Sequence, residues 1–396
     1  MTTSTTVRNR AKAGVVGLAA AALAGTAFTA PAEASPDPAP ATGHHRATQR
    51  AMDAVVKAGV PGITAQARDA NGVWKAASGV GNLKTGQPRG KHDRFRVGSI
   101  TKTFVATVLL QMEAEGRLDL DDKVERHLPG MVRGNGNDGR RITVRQLLNH
   151  TSGLFDYLAD KKYSRTYLEG DGYLRHRYDT LPPEKHVKVA LSHKPNFRPG
   201  TDFSYSNTNY VLAGLIIEKL GKRTYEKEVR ERIIKPLGLK ETSNPGNGVH
   251  LPRPSSRGYA KLFPAQPNRI DDITEMNGSQ GWADGDIISS AGDLTRFYRA
   301  LMRGKLLPPR QLKAMKTTVN DPESTGFAYG LGLGKLTTSC GTTLWGHAGG
   351  MVGWLSMAVT TEDGSHQLAY NYNGDWVGDL SPVMNAEYCG TSSRSR

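Results

Sequence analysis

The chain has 396 residues, of which 37% are hydrophobic and 22% charged, and its formal net charge at pH 7 is +15. This length suffices for one large domain or two. The positive charge favours loose association with polyanions, but the absence of a nucleic-acid-binding motif makes nucleic acid a poor candidate. No cluster of His, Asp and Glu has the spacing of metal ligands, so we expect neither a metal site nor a cofactor.

The first residues have the pattern of an export signal. A positively charged start (8–12) precedes small apolar residues (13–28), and residues 32–34 offer an A-x-A cleavage site. We therefore expect a signal peptide over 1–34, cleaved after Ala34, and a secreted, extracellular protein.

A leader and a single domain are expected to follow. Residues 35–47 are rich in proline and lack apolar periodicity, which predicts a disordered leader. The domain is expected over 48–392, as two interleaved lobes. The apolar run near the start is too short for a stable membrane span, so we expect no membrane anchor. The basic surface of a secreted protein is either simply solvated or associates loosely with anionic cell-wall polymers.

The predicted elements place strands at both ends of the chain and helices between them. Asn71-Gly72 is a strong hairpin signal between the first two strands. We expect an α/β fold in which an antiparallel sheet, built from both termini and flanked by helices, lies beside a second, all-helical lobe. In chain order the expected elements are a helix over 46–58, strands over 63–69 and 73–78, helices over 99–115, from 207 and over 290–303, strands over 329–333, 343–346, 354–361 and 367–372, and a helix over 382–389.

Three short motifs follow one another along the chain, and each occurs once. They are Ser99-Ile100-Thr101-Lys102, Tyr205-Ser206-Asn207 and His347-Ala348-Gly349. Residues three apart share one face of a helix, so the Ser99 hydroxyl and the Lys102 amine are expected to lie side by side. A serine hydroxyl becomes a nucleophile only with an adjacent base.

This order of motifs resembles that of serine hydrolases of the penicillin-binding and class C β-lactamase type. The resemblance extends to the segments 95–98, 115–120 and 142–154. It is strongest to the secreted D-alanyl-D-alanine carboxypeptidases, which share the segment 329–333 and the pairing of two cysteines. The family implies the serine β-lactamase and DD-peptidase fold with the active site between its lobes. It also implies a disulfide between Cys340 and Cys389, the only two cysteines.

The resemblance assigns acyl-transfer roles to three residues. Ser99 would attack a carbonyl group and form an acyl-enzyme. Lys102 would accept the Ser99 proton or hold the network that does, with a pKa lowered by burial. Tyr205 would be the second proton-transfer group, and whether it or Lys102 is the base for acylation stays open.

Four further residues are expected to bind substrate. Asn207 would bond the substrate amide or fix Lys102, and Trp282 would line the pocket. His347 would supply a donor or partial positive charge, and its protonation near pH 6 to 7 would make activity pH-sensitive. The backbone N–H of Gly350 would form the oxyanion hole with that of Ser99. His150 is expected to cap backbone carbonyls.

The chain departs from the carboxypeptidases where they hold a terminal carboxylate. An arginine and two threonines of that family correspond to Gly334, Ala348 and Gly350 here, and Lys335 is a partial substitute for the arginine. Loss of charge-assisted hydrogen bonds lowers selectivity for a free carboxylate. A strict carboxypeptidase specificity is therefore doubtful, although acyl transfer would survive.

The first expected function is a secreted serine hydrolase that cleaves cell-wall-type D-peptides as a D-alanyl-D-alanine carboxypeptidase does. Its substrates would be small peptides, amides or esters, and β-lactams would inhibit it covalently. One alternative is a D-aminopeptidase, D-amino-acid amidase, esterase or weak β-lactamase of the same fold. Another is a non-catalytic penicillin- or wall-binding protein.

Overall fold

The computed structural model describes residues 45–321 and 326–390. The predicted signal peptide and most of the predicted leader lie outside these residues. The leader was expected to end at 47, but His45 is already buried and the first helix begins at Arg46. The helices are α1 (Arg46–Lys57), α2 (Thr101–Ala114), α3 (Val124–His127), α4 (Val144–Leu148), α5 (Lys161–Tyr167), α6 (Gly170–His176), α7 (Pro183–Leu191), α8 (Asn207–Gly221), α9 (Tyr225–Val229), α10 (Lys235–Leu237), α11 (Trp282–Gly285), α12 (Ala291–Met302), α13 (Pro309–Met315) and α14 (Ser381–Cys389).

The strands are β1 (Gly62–Asp69), β2 (Gly72–Asn82), β3 (Gln87–Pro88), β4 (Phe95–Arg96), β5 (Arg133–Gly134), β6 (Asn137–Asp138), β7 (Tyr259–Ala260), β8 (Asp271–Asp272), β9 (Ile288–Ser289), β10 (Val319–Asn320), β11 (Phe327–Tyr329), β12 (Gly334–Thr337), β13 (Thr343–Met351), β14 (Trp354–Thr360) and β15 (Gln367–Tyr372). The main sheet of the described residues has nine of them in the order β10-β11-β12-β13-β14-β15-β1-β2-β3, and all neighbours are antiparallel. Its centre joins the two ends of the chain, because β1 pairs with β15. The predicted fold class is confirmed.

Two apolar clusters hold the fold together. The larger surrounds α2, which is apolar on most of its circumference and therefore buried, and joins it to α8 and α12. Phe104 of α2 stacks on Phe297 of α12 with ring centroids 3.8 Å apart. The smaller cluster lies between the sheet and the two terminal helices α1 and α14. The buried α2 is thus a rigid support for the residues at its amino end.

Two predicted strands differ from the observed ones near the cavity described below. The strand expected over 329–333 ends at Tyr329, and the chain then reverses into β12. Gly332 allows this reversal: it has a φ of +68°, and a Cβ there would lie 2.6 Å from the Ala106 Cβ. The strand expected over 343–346 continues to Met351 as β13. As a result, the His347 motif lies on a strand.

Cys340 and Cys389 form a disulfide that links the loop before β13 to the end of α14. Within the described residues, the helices are all too short or too polar to cross a membrane.

Candidate active site

A cavity of about 540 Å³ opens between the sheet and the helical lobe, and all three motifs contribute to its wall. Ser99 comes from a 3₁₀ turn (Gly98–Ile100) immediately before α2. Tyr205 lies in the loop just before α8, Asn207 is the first residue of α8, and His347 comes from β13. The tertiary structure therefore brings together residues that are up to 248 positions apart along the chain.

The turn that carries Ser99 packs backbone to backbone against β13, and this contact requires glycine. Gly98 has a φ of +56°, and a Cβ on it would lie 2.6 Å from the Gly350 carbonyl oxygen. A Cβ on Gly349 would lie 1.9 Å from the Val97 carbonyl oxygen and 3.3 Å from the Ser99 nitrogen. The backbones of Ser99 and Gly350 are consequently neighbours, as an oxyanion hole made of their two N–H groups requires.

Lys102 is fully buried and makes three hydrogen bonds. Its Nζ donates to Ser99 Oγ at 3.0 Å, to Asn207 Oδ1 at 2.7 Å and to the Asp284 carbonyl oxygen at 2.8 Å. Burial lowers the pKa of Lys102 to about 8, although the negative charges of Asp284 and Asp156 oppose this shift. An amine with this pKa is neutral often enough near neutral pH to accept a proton from Ser99.

The aromatic ring of Tyr205 packs near the Lys102 amine. The Lys102 Nζ lies 5.1 Å from the centroid of the Tyr205 ring. The Tyr205 hydroxyl is buried and has no hydrogen-bond partner among the described residues. Burial raises the pKa of Tyr205 well above 10, and the proximity of Ser99 opposes this rise. The phenol is therefore protonated in the resting site, which suits a proton donor better than a proton acceptor.

Asn207 connects Lys102 to a carboxylate that the sequence did not indicate. Its Oδ1 accepts from Lys102, while its Nδ2 donates to Asp156 Oδ2 at 2.9 Å and its backbone N–H donates to Asp156 Oδ1 at 3.2 Å. Burial raises the pKa of Asp156, and the hydrogen bonds from Leu158 and Asn207 oppose the rise. Asp156 thus fixes the orientation of the Asn207 amide.

His347 differs in protonation from what we expected. Its Nε2 lies 2.7 Å from the Tyr329 hydroxyl, and its Nδ1 contacts the Ala348 carbonyl oxygen. Burial lowers the pKa of His347 to about 3, with a further decrease from the Lys102 charge. The expectation that it becomes protonated near pH 6 to 7 is therefore wrong, because a buried imidazole beside a cation stays neutral.

His150 organises the loop that carries Tyr205. Its Nδ1 accepts hydrogen bonds from the Ser206 backbone N–H and from Asn209 Nδ2, both at 3.1 Å. Its ring lies 4.1 Å from the Tyr205 ring between centroids. The side chain thus accepts from N–H groups instead of capping carbonyls, because its buried ring faces the start of α8.

Two other expected residues do not reach the cavity. Trp282 is buried in the main core and packs edge-on against Tyr225, with ring centroids 5.3 Å apart. Lys335 is absent from the cavity wall although both of its neighbours in sequence line it, because successive side chains of β12 point to opposite faces. Gly334 does line the wall, and a Cβ there would lie 2.9 Å from the Phe327 ring.

Asp284 is a second carboxylate that sequence reasoning missed. It lines the cavity while only 4% of its surface is exposed, and its Oδ2 accepts from the Tyr157 hydroxyl at 2.8 Å. Burial raises its pKa to about 7, although the Lys102 charge opposes the rise. The available signal was a pair of carboxylates, Asp284 and Asp286, between the apolar residues Trp282 and Ile287.

No group of three or more His, Cys, Asp or Glu side chains within 45–321 and 326–390 could hold a metal ion. The chemistry available from the described side chains is nucleophilic attack by a serine beside a buried amine.

Comparisons with known proteins agree with this geometry. A family model described as Beta-lactamase matches residues 45–375. A solved D-stereospecific amidohydrolase from Streptomyces sp. is similar, with 52% identity, a TM-score of 0.83, and coverage of 88% of this chain and 99% of that one. A solved D-amino acid amidase from Ochrobactrum anthropi SV3 has 29% identity and a TM-score of 0.72, over 84% of this chain and 92% of that one.

Curated relatives include Penicillin-binding protein 4* of Bacillus subtilis, which is 26% identical over 74% of this chain. The chain spans 64% of that relative and 52% of the putative penicillin-binding protein PbpX of the same organism. The family match over most of the chain, together with the arrangement of Ser99, Lys102 and Tyr205, shows that this protein belongs to the beta-lactamase family of serine hydrolases.

Proposed function

We propose that this protein is a D-stereospecific amidohydrolase that cleaves amides and esters of D-amino acids through an acyl-enzyme on Ser99. The observation that carries the proposal is the hydrogen bond between the Ser99 hydroxyl and the buried Lys102 amine at the wall of a cavity. Similarity to the D-stereospecific amidohydrolase and to the D-amino acid amidase supports the choice of substrate class.

In the proposed reaction, neutral Lys102 accepts the proton of Ser99 while the serine oxygen attacks the substrate carbonyl carbon. The oxyanion of the tetrahedral intermediate accepts hydrogen bonds from the backbone N–H groups of Ser99 and Gly350. The carbon–nitrogen bond then breaks, and the leaving amine takes the proton from Lys102, directly or through Tyr205, so that Lys102 is neutral again. Water attacks the acyl-enzyme and loses a proton to Lys102. The bond between the acyl carbon and the Ser99 oxygen then breaks, Lys102 returns the proton to Ser99, and the D-amino acid leaves.

The charge of the cavity wall favours an amide or ester over a free acid. No Lys or Arg of the described residues lines the cavity, and burial keeps His347 neutral. A terminal carboxylate would consequently lose its water without gaining a charge-assisted hydrogen bond. This argues against the carboxypeptidase specificity that the sequence resemblance suggests first.

Aromatic and aliphatic side chains form one wall of the cavity, on the side of the helical lobe. Burial of a substrate side chain there contributes about 25 cal/mol for each Å² of apolar surface. We therefore expect D-phenylalanine and D-leucine derivatives to be better substrates than D-alanine derivatives. The wall residues concerned are Tyr157, Leu158, Tyr163, Tyr167, Leu168 and Phe203.

The experiment is a turnover assay with D- and L-phenylalanine amides, a D-phenylalanine ester, and a peptide ending in D-Ala-D-Ala. We expect sustained hydrolysis of the D-amide and D-ester, with slower hydrolysis of the L-amide and of the peptide acid. Ser99→Ala should abolish both turnover and labelling by a fluorophosphonate, whereas Ser192→Ala, a change of an exposed serine, should preserve both. A single burst of labelling by a β-lactam without turnover of any substrate would instead indicate a penicillin-binding protein.

The disulfide is relevant to the compartment in which the protein acts. Disulfides form and persist mainly in oxidising compartments, so the Cys340–Cys389 link supports our proposal that the protein acts outside the cytoplasm.

Loose association with an anionic polymer is a second proposal, supported by a basic groove separate from the cavity. Among the described residues, its wall includes six cationic side chains and no carboxylate. Four of them lack a carboxylate partner among the described residues, whereas Arg232 and Arg296 form ion pairs. The four are Arg68, Arg299, Arg303 and Lys305.

A further inference from the structure

The reaction proposed above gives no role to the Asp284 carboxylate of the cavity wall. Its Oδ2 accepts from the Tyr157 hydroxyl, but no donor of the described residues bonds to its Oδ1. The residue lines the cavity and is otherwise buried. A buried carboxylate with a free oxygen is costly unless a cation or donor comes to it.

The backbone of Asp284 lies next to the reacting atoms, and its side chain lines the same cavity as Ser99. The same Lys102 Nζ that bonds to Ser99 Oγ also bonds to the Asp284 carbonyl oxygen. In a D-amino acid amide, the α-nitrogen is separated from the scissile carbonyl carbon by one carbon only. When that carbonyl carbon lies at Ser99, the α-ammonium group therefore lies within the cavity whose wall includes Asp284.

The charge balance of the site also favours a cation here. Lys102 must be neutral when it accepts the Ser99 proton, and in that state it no longer compensates the Asp284 charge. A substrate ammonium group would supply a compensating positive charge in the complex with substrate, before Lys102 takes the Ser99 proton. Asp156 is unsuitable for this role, because both of its oxygens already accept hydrogen bonds from Asn207.

We infer that the Asp284 carboxylate binds the α-ammonium group of the substrate, so that the site selects D-aminoacyl compounds with a free amino terminus. This inference rests on the proposed amidohydrolase function and adds its specificity determinant. Within the described residues, the other carboxylate of the cavity wall is Asp321, which is the alternative candidate for binding the α-ammonium group.

The test compares two substrates that differ only at the amino group, D-phenylalanine p-nitroanilide and 3-phenylpropionic acid p-nitroanilide. We expect Asp284→Asn to lower the ratio of their kcat/KM values at least about tenfold, through the aminoacyl substrate. Asp321→Asn should leave the ratio within about twofold. Tyr157→Phe, which keeps the carboxylate but removes its hydrogen bond, should change the ratio less than Asp284→Asn.

An equal loss for both substrates in Asp284→Asn, or a ratio change in Asp321→Asn instead, would overturn the inference. If the unmodified protein hydrolyses neither anilide nor the corresponding amides and esters, the proposed function itself fails. A binding measurement on the unmodified protein does not depend on folding of the variants. 2-Phenylethylammonium should protect Ser99 from a fluorophosphonate at concentrations at least about tenfold lower than the neutral 2-phenylethanol, and equal protection would also contradict the assignment.

Discussion

Lys102 is surrounded by groups that act on its charge in opposite directions. Burial favours the neutral amine, whereas the carboxylates of Asp284 and Asp156 favour the ammonium form. The neighbouring imidazoles of His150 and His347 are neutral, since burial lowers both of their pKa values. The protonation state of Lys102 is therefore decided by its burial and by two carboxylates from distant segments of the chain.

The pH dependence of acylation follows from this balance. Lys102 is active as the neutral amine, so kcat/KM for an ester without ionisable groups should rise with pH up to about 8 and level off above it. Because Asp284 raises the pKa of Lys102, Asp284→Asn should move this rise to lower pH. The measurement is the initial rate between pH 5 and 10.

His347→Asn is the control for that experiment. A histidine with a pKa near 3 does not titrate in this range, so the variant should retain the shape of the profile even if its overall rate falls. A step between pH 6 and 7 that disappears in His347→Asn would contradict the neutral state that we assign to this side chain.

At the scale of elements, the site depends on contact between strand β13 and the turn that precedes α2. The two backbones touch at Gly98, Gly349 and Gly350, without side chains between them. Helix α2 is held by the main core, so the turn cannot withdraw easily from the strand. Close packing of this kind tolerates added atoms poorly.

Two neighbouring glycines of β13 should therefore respond differently to alanine. A Cβ at Gly349 would lie 1.9 Å from the Val97 carbonyl oxygen, so Gly349→Ala should lower the free energy of unfolding by about 3 kcal/mol or more and slow labelling of Ser99. A Cβ at Gly350 meets only the Leu355 side chain, at 3.7 Å, so Gly350→Ala should change stability by less than about 0.5 kcal/mol. Denaturant unfolding and fluorophosphonate labelling check both, and equal stability of the two variants would refute the contact.

At the scale of the whole molecule, the two ends of the described chain are tied together around Glu387. Its carboxylate bonds to Thr48 at 2.6 Å, to His45 at 3.0 Å and to His366 at 2.7 Å. These bonds join α1, the loop before β15, and α14, and the disulfide at Cys389 lies close by in sequence. Together they close the sheet that both ends of the chain build.

Removal of this carboxylate should cost stability in a pH-dependent way. The hydrogen bonds from His366, His45 and Thr48 lower the pKa of Glu387 to about 2 despite its burial. Its ionised form therefore stabilises the fold above the unfolded pKa of about 4.3, and this contribution disappears as pH falls through about 2. Glu387→Gln should lower the free energy of unfolding by about 3 kcal/mol at pH 6 and by much less at pH 2. A loss of equal size at both pH values in urea titrations would exclude this explanation.

The basic groove makes a prediction about the molecule as a whole. Partial burial and the charges of Arg303 and Arg68 lower the pKa of Arg299, which shows that these cations are crowded. The double variant Arg299→Ala and Arg303→Ala should elute from an immobilised poly(glycerol phosphate) at clearly lower salt than the unmodified protein. The matched double variant Lys84→Ala and Lys91→Ala removes the same charge at exposed positions elsewhere, and identical elution of both variants would show that only net charge matters.

The sequence by itself determined the features that depend on local spacing. An i, i+3 pair at the start of a helix places Lys102 beside Ser99 in any α-helix. The turn at Asn71-Gly72 predicted the hairpin, and the strands at both ends of the chain with helices between them predicted the sheet, and the structure has both. The motifs with their family resemblance likewise pointed to Tyr205 and Asn207, and to the pairing of Cys340 with Cys389.

Only the tertiary structure decided the environment of these groups. Asp284 is 182 residues from Lys102 in sequence, and the contact between them exists because α11 packs against α2 and α8. The same packing turns Trp282 into the core, whereas the alternation of side chains along β12 keeps Lys335 off the cavity wall, although both are plausible binding residues by type alone. Burial and neighbouring charges set the pKa of each site residue, and packing decides which side chains face the cavity. These effects arise from contacts between distant parts of the chain, which a local pattern of residues does not contain.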